Sequence, residues 1–391
     1  MSRLDELIKQ LCPDGVEYRA LGEVAVMKRG TSITKKNVNK GSYPVVSGGK
    51  EPAYYCDRFN RQDETITVAG SGAGYVQYWD TPIFVCDAFS VKGTNFISTK
   101  FLYYLLTNKQ ETIYSTKKGG GVPHVHISDI ENFRVPVPPL PVQQEIVRIL
   151  DSFTELEKEL EKELELRRKQ YEYYRDLLLN FKDVHAGGTN AYSVLWLADM
   201  LRELCPDGVE YKALGEFANI SRGKIMSKDY LKENIGEYPV YSSQTENNGQ
   251  LGSISTYMYD GEYLTWTTDG ANAGTVFFRS GKFSITNVCG LIDVKNSNII
   301  PKFLYYYLYK EAPNHVKAGM GNPKLMSNVM SNIKLPVPPL AVQQRIVHIL
   351  DRFDALCNDL TNGLPAEIAL RRKQYEYYRD KLLNFKELKE A

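Results

Sequence analysis

Apolar residues recur at Ile146, Ile149, Phe153, Leu156 and Leu160, stepping alternately by three and four through an otherwise charged stretch. That spacing predicts a helix with one apolar seam. Pro141 sits where a first-turn proline is tolerated, because its missing N–H would have no partner there anyway. No proline or glycine follows before Asn180. The predicted helix covers residues 140–182, a rod of about 60 Å. A rod with one apolar seam needs a partner, and the chain supplies one: the same seam returns at Ile346, Ile349, Phe353, Leu356 and Leu360, then at Tyr375, Tyr378 and Leu382. Two copies of one unit are most simply related by an approximate two-fold axis, which would run the helices antiparallel.

The globular segments before each helix carry a different pattern. Short runs rich in β-branched and aromatic residues, TITVAG from Thr65, PIFVCDAFSV from Pro82 and KFSITNVCGLIDV from Lys282, are punctuated by glycine turns and read as strands. FLYYLLTNKQ from Phe101 and FLYYYLYKEA from Phe303 read as helices. The expected fold class is a mixed α/β (α+β) domain used twice in tandem, each followed by a long helix, with the two helices paired as an antiparallel coiled coil.

The repeat is explicit. LCPDGVEYRALGEV at 11–24 returns as LCPDGVEYKALGEF at 204–217. VPVPPLPVQQEIV from Val135 returns as LPVPPLAVQQRIV from Leu335, and RRKQYEYYRD at 167 returns at 371. The rods and their flanks are repeated almost word for word, while the globular surfaces have diverged to a skeleton: Tyr43-Pro44-Val45 with Tyr238-Pro239-Val240, GAGYV from Gly72 with NAGTV from Asn272, and Gly121 with Gly321. Packed helices drift less than loops. The sharper reading is that each globular domain recognises something different.

The second helix departs from the first in the stretch Asp354–Leu370, where Gly363 and Pro365 predict a break or kink near Asn362. In the first helix ELEKELEKELEL from Glu155 repeats with period four, either as filler rich in good helix formers or as a ruler. Tyr171 and Tyr174 continue the seam, as Tyr375 and Tyr378 do, so seam or partner docking is favoured over base stacking. Arg167 to Lys169 and Arg371 to Lys373 read as solvated basic turns.

Composition changes the picture in three places. With 391 residues, 43% hydrophobic and 24% charged, the chain suits two or three globular domains. No apolar run reaches membrane-span length and the opening residues lack the pattern of a signal peptide, which gives a cytoplasmic expectation. The six cysteines lack metal or disulfide spacing and read as reduced thiols. The net charge is +1, yet residues 20–139 hold 14 Lys and Arg against 10 Asp and Glu, and residues 213–339 hold 12 against 10. That mild basic tilt is compatible with DNA contact by local patches.

The twice-used globular-plus-helix layout, the strings VPVPPLPVQQEIVRILD and LPVPPLAVQQRIVHILD, and the RRKQYEYYRD tails resemble the DNA-specificity subunit of type I restriction-modification systems, over essentially the whole chain. The resemblance implies two target-recognition domains that each read half of a bipartite site in double-stranded DNA. It implies two helical regions that set the spacing of those domains and dock two methyltransferase subunits. Restriction/translocase subunits would join for cleavage. It divides the chain into a first recognition domain with its N-terminal helix (1–139), a first helical region (140–182), a linker and short helix (183–203), a second recognition domain (204–339) and a second helical region (340–391). A stiff rod of this kind would hold two readers at a fixed separation along the duplex. The paired glutamines Gln143 and Gln144, with Gln343 and Gln344, are assigned with the seam to helix pairing or subunit docking.

Base reading calls for loops in which basic, amide or small polar residues lie beside glycine. The first half offers Lys28, Arg29, Thr31, Lys35 and Lys36, then Lys117, Lys118 and His124. The second offers Ser221, Arg222, Lys224, Lys228, Gln244, Asn322 and Lys324. His124 and His126 alternate in an extended run, but no third metal ligand accompanies them. A coiled-coil scaffold that binds only proteins is the competing reading.

No catalytic site is expected in this chain. PDGVEYK from Pro206 matches a nuclease constellation in letters only, its parts being adjacent and Arg19 standing where the second copy has Lys212. No phosphate-binding glycine loop of the G-x-x-x-x-G-K type occurs, and Asn322-Pro323-Lys324 lacks the second proline and aromatic of an amino-methyltransferase. S-adenosylmethionine, ATP and Mg2+ are expected on partner subunits, with no cofactor in this chain.

Overall fold

The computed structural model describes residues 2–71, 74–118, 123–181, 195–317 and 321–388. Gly72, the glycines at 119–121 and the linker residues 182–194 lie outside these. The chain divides into two compact units: residues 1–162 with 367–391, and residues 163–366.

In the first unit the strand Glu17–Ala20 runs antiparallel to Arg134–Val137, with Tyr18 opposite Pro136. The two repeated strings LCPDGVEY and VPVPP are therefore hydrogen-bonded to each other, and the globular domain begins and ends on one ribbon. Between them lies a four-stranded antiparallel sheet in the order Ala25–Arg29, Ala88–Gly93, Thr65–Ala69, Val76–Trp79. Thr65–Ala69 is buried along its whole length, which explains its unbroken run of β-branched residues. A second sheet joins Tyr54–Cys56, Tyr43–Val46 and Phe84–Val85, the last pair parallel. PIFVCDAFSV, expected as one strand, is two. Cys86 donates its N–H to Val46 O at 2.8 Å, while Asp87 O accepts from Gly70, so the chain changes sheets at Cys86-Asp87. The helix Thr99–Asn108, with Ser98 accepting from Phe101 N, buries Phe101, Leu102 and Leu106 with Ile66, Val68 and Val91 in one core.

The second unit repeats the plan with one change. Tyr211–Ala213 pairs with Lys334–Pro336, and the helix Pro301–Glu311 covers the sheet. The strands Tyr259–Thr267 and Val276–Ile285 are longer than their counterparts in the first unit, and the latter runs on parallel to Ile235–Tyr241. This fuses the two sheets into one of six strands.

The first long helix is Leu140–Leu178, 39 residues, about 58 Å. The second is interrupted where glycine and proline predict it, forming Leu340–Asn358 and Leu364–Leu382. Asp359 accepts from Thr361 N at 2.7 Å and Thr361 Oγ1 at 2.5 Å, and Gly363 packs over the last turn so closely that a Cβ would lie 2.5 Å from Ala355 O. Pro365 falls in the next first turn, where it costs no hydrogen bond.

Segments of the two helices pair inside each unit. In the first, Phe153 stacks on Tyr378 with ring centroids 5.5 Å apart, and Arg372 donates to Glu157 and Glu161 at 2.5 Å each. In the second, Tyr171 and Tyr174 meet Phe353 at 6.2 and 5.7 Å. Within the first unit the partner number falls as the residue number rises, which is the antiparallel sense. Arg372 is exposed, as expected of a solvated basic turn, and from there it also reaches the two glutamates of the facing helix.

Along the seam Ile146, Tyr171 and Ile346 are buried, and Ile149, Phe153, Leu156, Leu160, Tyr174, Ile349 and Tyr375 are half-buried. Leu356 and Leu360 correct the expected stripe, being 37% and 81% exposed, while Cys357 is fully buried. The stripe steps from Leu350 and Phe353 by four to Cys357, and the break then ends it. Tyr378 is 42% exposed although it stacks on Phe153. All six cysteines are free thiols. Among the described residues no helix is long and apolar enough to cross a membrane.

Candidate nucleic-acid interface

Each unit carries a loop rim at one end of its sheet. In the first, Gly30 N–H donates to Ala88 O at 2.8 Å and Thr31 N–H to Val85 O at 2.9 Å, carrying the chain on from Lys28 and Arg29, which face Ser90 and Phe89, past Asp87. Glycine is required at 30, since a Cβ there would lie 2.1 Å from Cys86 O. Asp87 accepts from Ser71 Oγ at 2.8 Å. Ser71 bridges to His124, which exchanges two 3.0 Å backbone hydrogen bonds with Lys118. Lys28 to Thr31, Lys118 and His124 are thus brought together from strands far apart in sequence. Lys35 and Lys36 stand exposed on the short 3-10 turn Lys35–Asn37.

The second rim uses the same joints. Lys224 N–H donates to Ile285 O at 3.3 Å, Lys317 and Lys324 exchange backbone hydrogen bonds at 3.0 and 3.1 Å, and Lys324 bridges to Asp269. Ser243 Oγ donates to Asp269 O at 2.8 Å, drawing the Ser242 to Asn248 loop in. Ser221 and Arg222 end the edge strand, exposed, and Arg222 Nη2 lies 3.5 Å from Met326 Sδ. Lys228 opens the exposed helix Lys228–Glu233, capped by Ser227, and Asn322 is exposed in the bend before Lys324.

Charge separates the candidates. Lys28, Arg29, Lys35, Lys36, Arg222, Lys224, Lys228 and Lys324 have no acidic partner among the described residues, whereas Lys92, Lys212 and Lys295 are paired with Asp63, Glu210 and Asp293. Unpaired exposed cations on one rim are what a phosphate backbone would neutralise. Lys118 is different: it donates to Asp129 at 2.5 Å and holds that carboxyl below the usual carboxylate range. Lys117 lies 3.4 Å above the Tyr114 ring. Gln244 turns its amide inward to Gln250 O at 2.6 Å. The His124 and His126 rings stack at 6.3 Å, and among the described residues no group of metal-ligating side chains is assembled.

Two groups escaped the sequence reading. Arg61 donates to Ser90 Oγ at 2.7 Å and to Arg29 O at 3.0 Å, fixing the backbone that displays Lys28 and Arg29. Gly48 lies so close to Ser71 that a Cβ would meet its Oγ at 2.0 Å. Neither sits in a pattern with a sequence signature; both are set by strands that meet only in space.

Gln143 and Gln343, expected to pair helices or dock subunits, have a different task. Gln143 is buried, donating from Nε2 to Phe96 O at 2.9 Å and Pro138 O at 2.7 Å and accepting from Ser98 N at 2.8 Å. Gln343 repeats this with Asn298 O, Pro338 O and Ile300 N. Each latches the start of its helix to its own globular domain instead of helix to helix, because a side chain in the first turn faces the domain that feeds it. Gln144 and Gln344 are exposed.

Comparison with known proteins places this architecture. The profile of the type I restriction modification DNA specificity domain matches residues 13–166 and again 206–370. A Mycoplasma pneumoniae protein named as a type I specificity subunit is 40% identical over 265 residues, covering 68% of this chain and 91% of its own. The Escherichia coli type I restriction enzyme EcoR124I/EcoR124II specificity subunit is 34% identical over 313 residues, covering 73% and 70%. The crystal structure of a type I restriction-modification system S subunit from M. genitalium shares the fold, with a TM-score of 0.64 at 20% identity over 94% of this chain and 96% of that one. The chain therefore belongs to the type I restriction-modification DNA specificity family, a family of specificity subunits and not of enzymes.

Proposed function

We propose that this chain binds double-stranded DNA and reads a bipartite target, one half through each globular domain (residues 1–139 and 204–339). The carrying observation is the pair of rims: the same joints present Lys28 to Thr31 in one unit and Arg222 to Lys224 in the other, with the surrounding side chains different and the cations unpaired. Shared backbone contacts would position both domains on phosphates, and the differing groups would select bases. The helical regions, residues 140–182 and 340–391, dock two methyltransferase subunits, and restriction/translocase subunits join for cleavage. S-adenosylmethionine, ATP and Mg2+ act on those partners, in the cytoplasm.

The test is an exchange of residues 20–134 for the corresponding segment of a relative, followed by methylome sequencing of cells carrying the operon. One half-site changes and the other stays. If both change, or neither, the two domains are not independent readers. Binding that neither weakens with salt nor responds to target sequence favours the protein-only scaffold.

A further inference from the structure

In the second unit Arg279 is 3% exposed and has no acidic partner among the described residues. Its Nε donates to Thr265 Oγ1 at 3.1 Å and its Nη2 to Asn248 O at 2.8 Å. The guanidinium carbon lies 3.6 Å from the Tyr241 ring centroid and 4.4 Å from that of Phe277. A guanidinium taken out of water without a carboxylate is costly unless its donors hold something. Here they hold a turn.

That turn is unusual. Asn247 and Asn248 have φ of 47° and 52°, followed by Gly249 at 79°, three left-handed residues in succession. Asparagine and glycine are the residues that accept this conformation. A Cβ on Gly249 would lie 2.9 Å from Arg279 Nη2, so turn and guanidinium are fitted to each other. Gly249 is buried while Glu246, Asn247 and Asn248 are exposed, and Asn272 Nδ2 donates to Thr245 Oγ1 at 3.0 Å from the neighbouring loop. Strained segments that persist are over-determined by their surroundings.

The first unit supplies an internal control. Aligning GAGYVQYW with NAGTVFFR puts Trp79 where Arg279 stands, and Trp79 Nε1 donates to Thr67 Oγ1 at 2.9 Å, the counterpart of Thr265. Tryptophan satisfies the sheet threonine. Only arginine has a second donor for the loop.

We propose that Arg279 is a positioning residue that presents the Glu246 to Asn248 turn as a base reader, with the Asn247 and Asn248 amides matched to adenine in the major groove of the second half-site. An amide oxygen accepts from adenine N6 while its nitrogen donates to N7. The proposal rests on the second domain reading DNA, and goes further by naming the turn, the base and the group that holds the turn in place.

The experiment uses the full chain assembled with its methyltransferase subunits. Wild type first defines the site by methylome sequencing, and duplexes substituted base by base are then measured for binding. Asn247→Asp and Asn248→Asp keep a residue tolerant of the left-handed backbone and remove the donor. At least one of them loses discrimination about tenfold or more at one A·T pair of the second half-site. Arg279→Trp, copied from the first unit, relaxes the same position, with the thermal midpoint, the first half-site and non-specific binding unchanged. Full discrimination in both asparagine variants overturns the reader, and an affected pair other than A·T overturns the base assignment. Relaxation in the asparagine variants but not in Arg279→Trp overturns the positioning role. Wild-type binding without sequence preference overturns the proposed function itself and is distinct from all three.

Discussion

Tyr306 donates its hydroxyl to Asp351 at 2.5 Å, joining the FLYY helix of the second globular domain to the long helix that follows it. Tyr104 and Asp151 make the same bond in the first unit, which explains why FLYY and ILD survive in both copies while the surfaces around them diverge. A hydrogen bond to a charged group contributes about 2 kcal/mol. Tyr306→Phe and Tyr104→Phe should each lower denaturant-derived stability by that order. Asp351 and Asp151 keep Lys302 and Lys100 as partners at 3.0 and 3.2 Å, so neither loss should be catastrophic.

Gln143 and Gln144 are neighbours with opposite environments. Gln143→Ala strands the Ser98 N–H and two carbonyls and should cost about 3 kcal/mol or more, whereas Gln144→Ala should stay within about 0.5 kcal/mol. Thermal unfolding of the two variants side by side checks this, and Gln343 and Gln344 should behave alike.

Alanine at Lys28, Arg29, Lys35 or Lys36 should weaken DNA binding across all sequences and shallow the salt dependence by about one unit of slope for each phosphate left without its cation. Lys118→Ala should change it less, because Lys118 is already committed to Asp129. Titrations over a range of salt concentrations decide between them.

Burial holds the hydroxyls of Tyr78, Tyr104, Tyr171, Tyr305, Tyr306 and Tyr307 above the usual tyrosine range and pushes Tyr375 up to about 12. A raised folded-state pKa means the native chain keeps protons that the unfolded chain gives up. The stabilisation is complete below about pH 10 and is lost as pH rises beyond it. Tyrosinate absorbance should show these groups ionising only with alkaline unfolding.

Gly363→Ala places a methyl group against the carbonyls of Ala355 and Asp359 and should destabilise the chain by about 1–3 kcal/mol. Calorimetry of the variant, compared with an exposed control such as Leu360→Ala, checks it.

The sequence carried much of this plan in its periodicities. Alternating steps of three and four located both rods, Gly363 and Pro365 located the break, and near-verbatim strings located the repeat. What it withheld was set by residues that meet only in the folded chain. Gln143 and Gln144 look equivalent until the helix is laid against Phe96 and Ser98, about 45 residues upstream. PIFVCDAFSV looks like one strand until two sheets compete for its amides. Lys118 looks like a free cation until the fold brings Asp129 to it. The rim residues were findable as glycine-flanked loops, but Arg61 and Arg279, which fix those loops from below, stand in strings with no helical or turn signature.

The ribbon of Glu17–Ala20 against Arg134–Val137 means that the first globular body enters and leaves its framework through one doorway. Beyond that doorway the body is fastened to the rod through Phe96, Ser98 and Tyr104, so mutations away from those residues transmit little strain to the rod. Innovation in what is recognised and constancy in what is assembled can then be inherited separately, on different residues of one polypeptide.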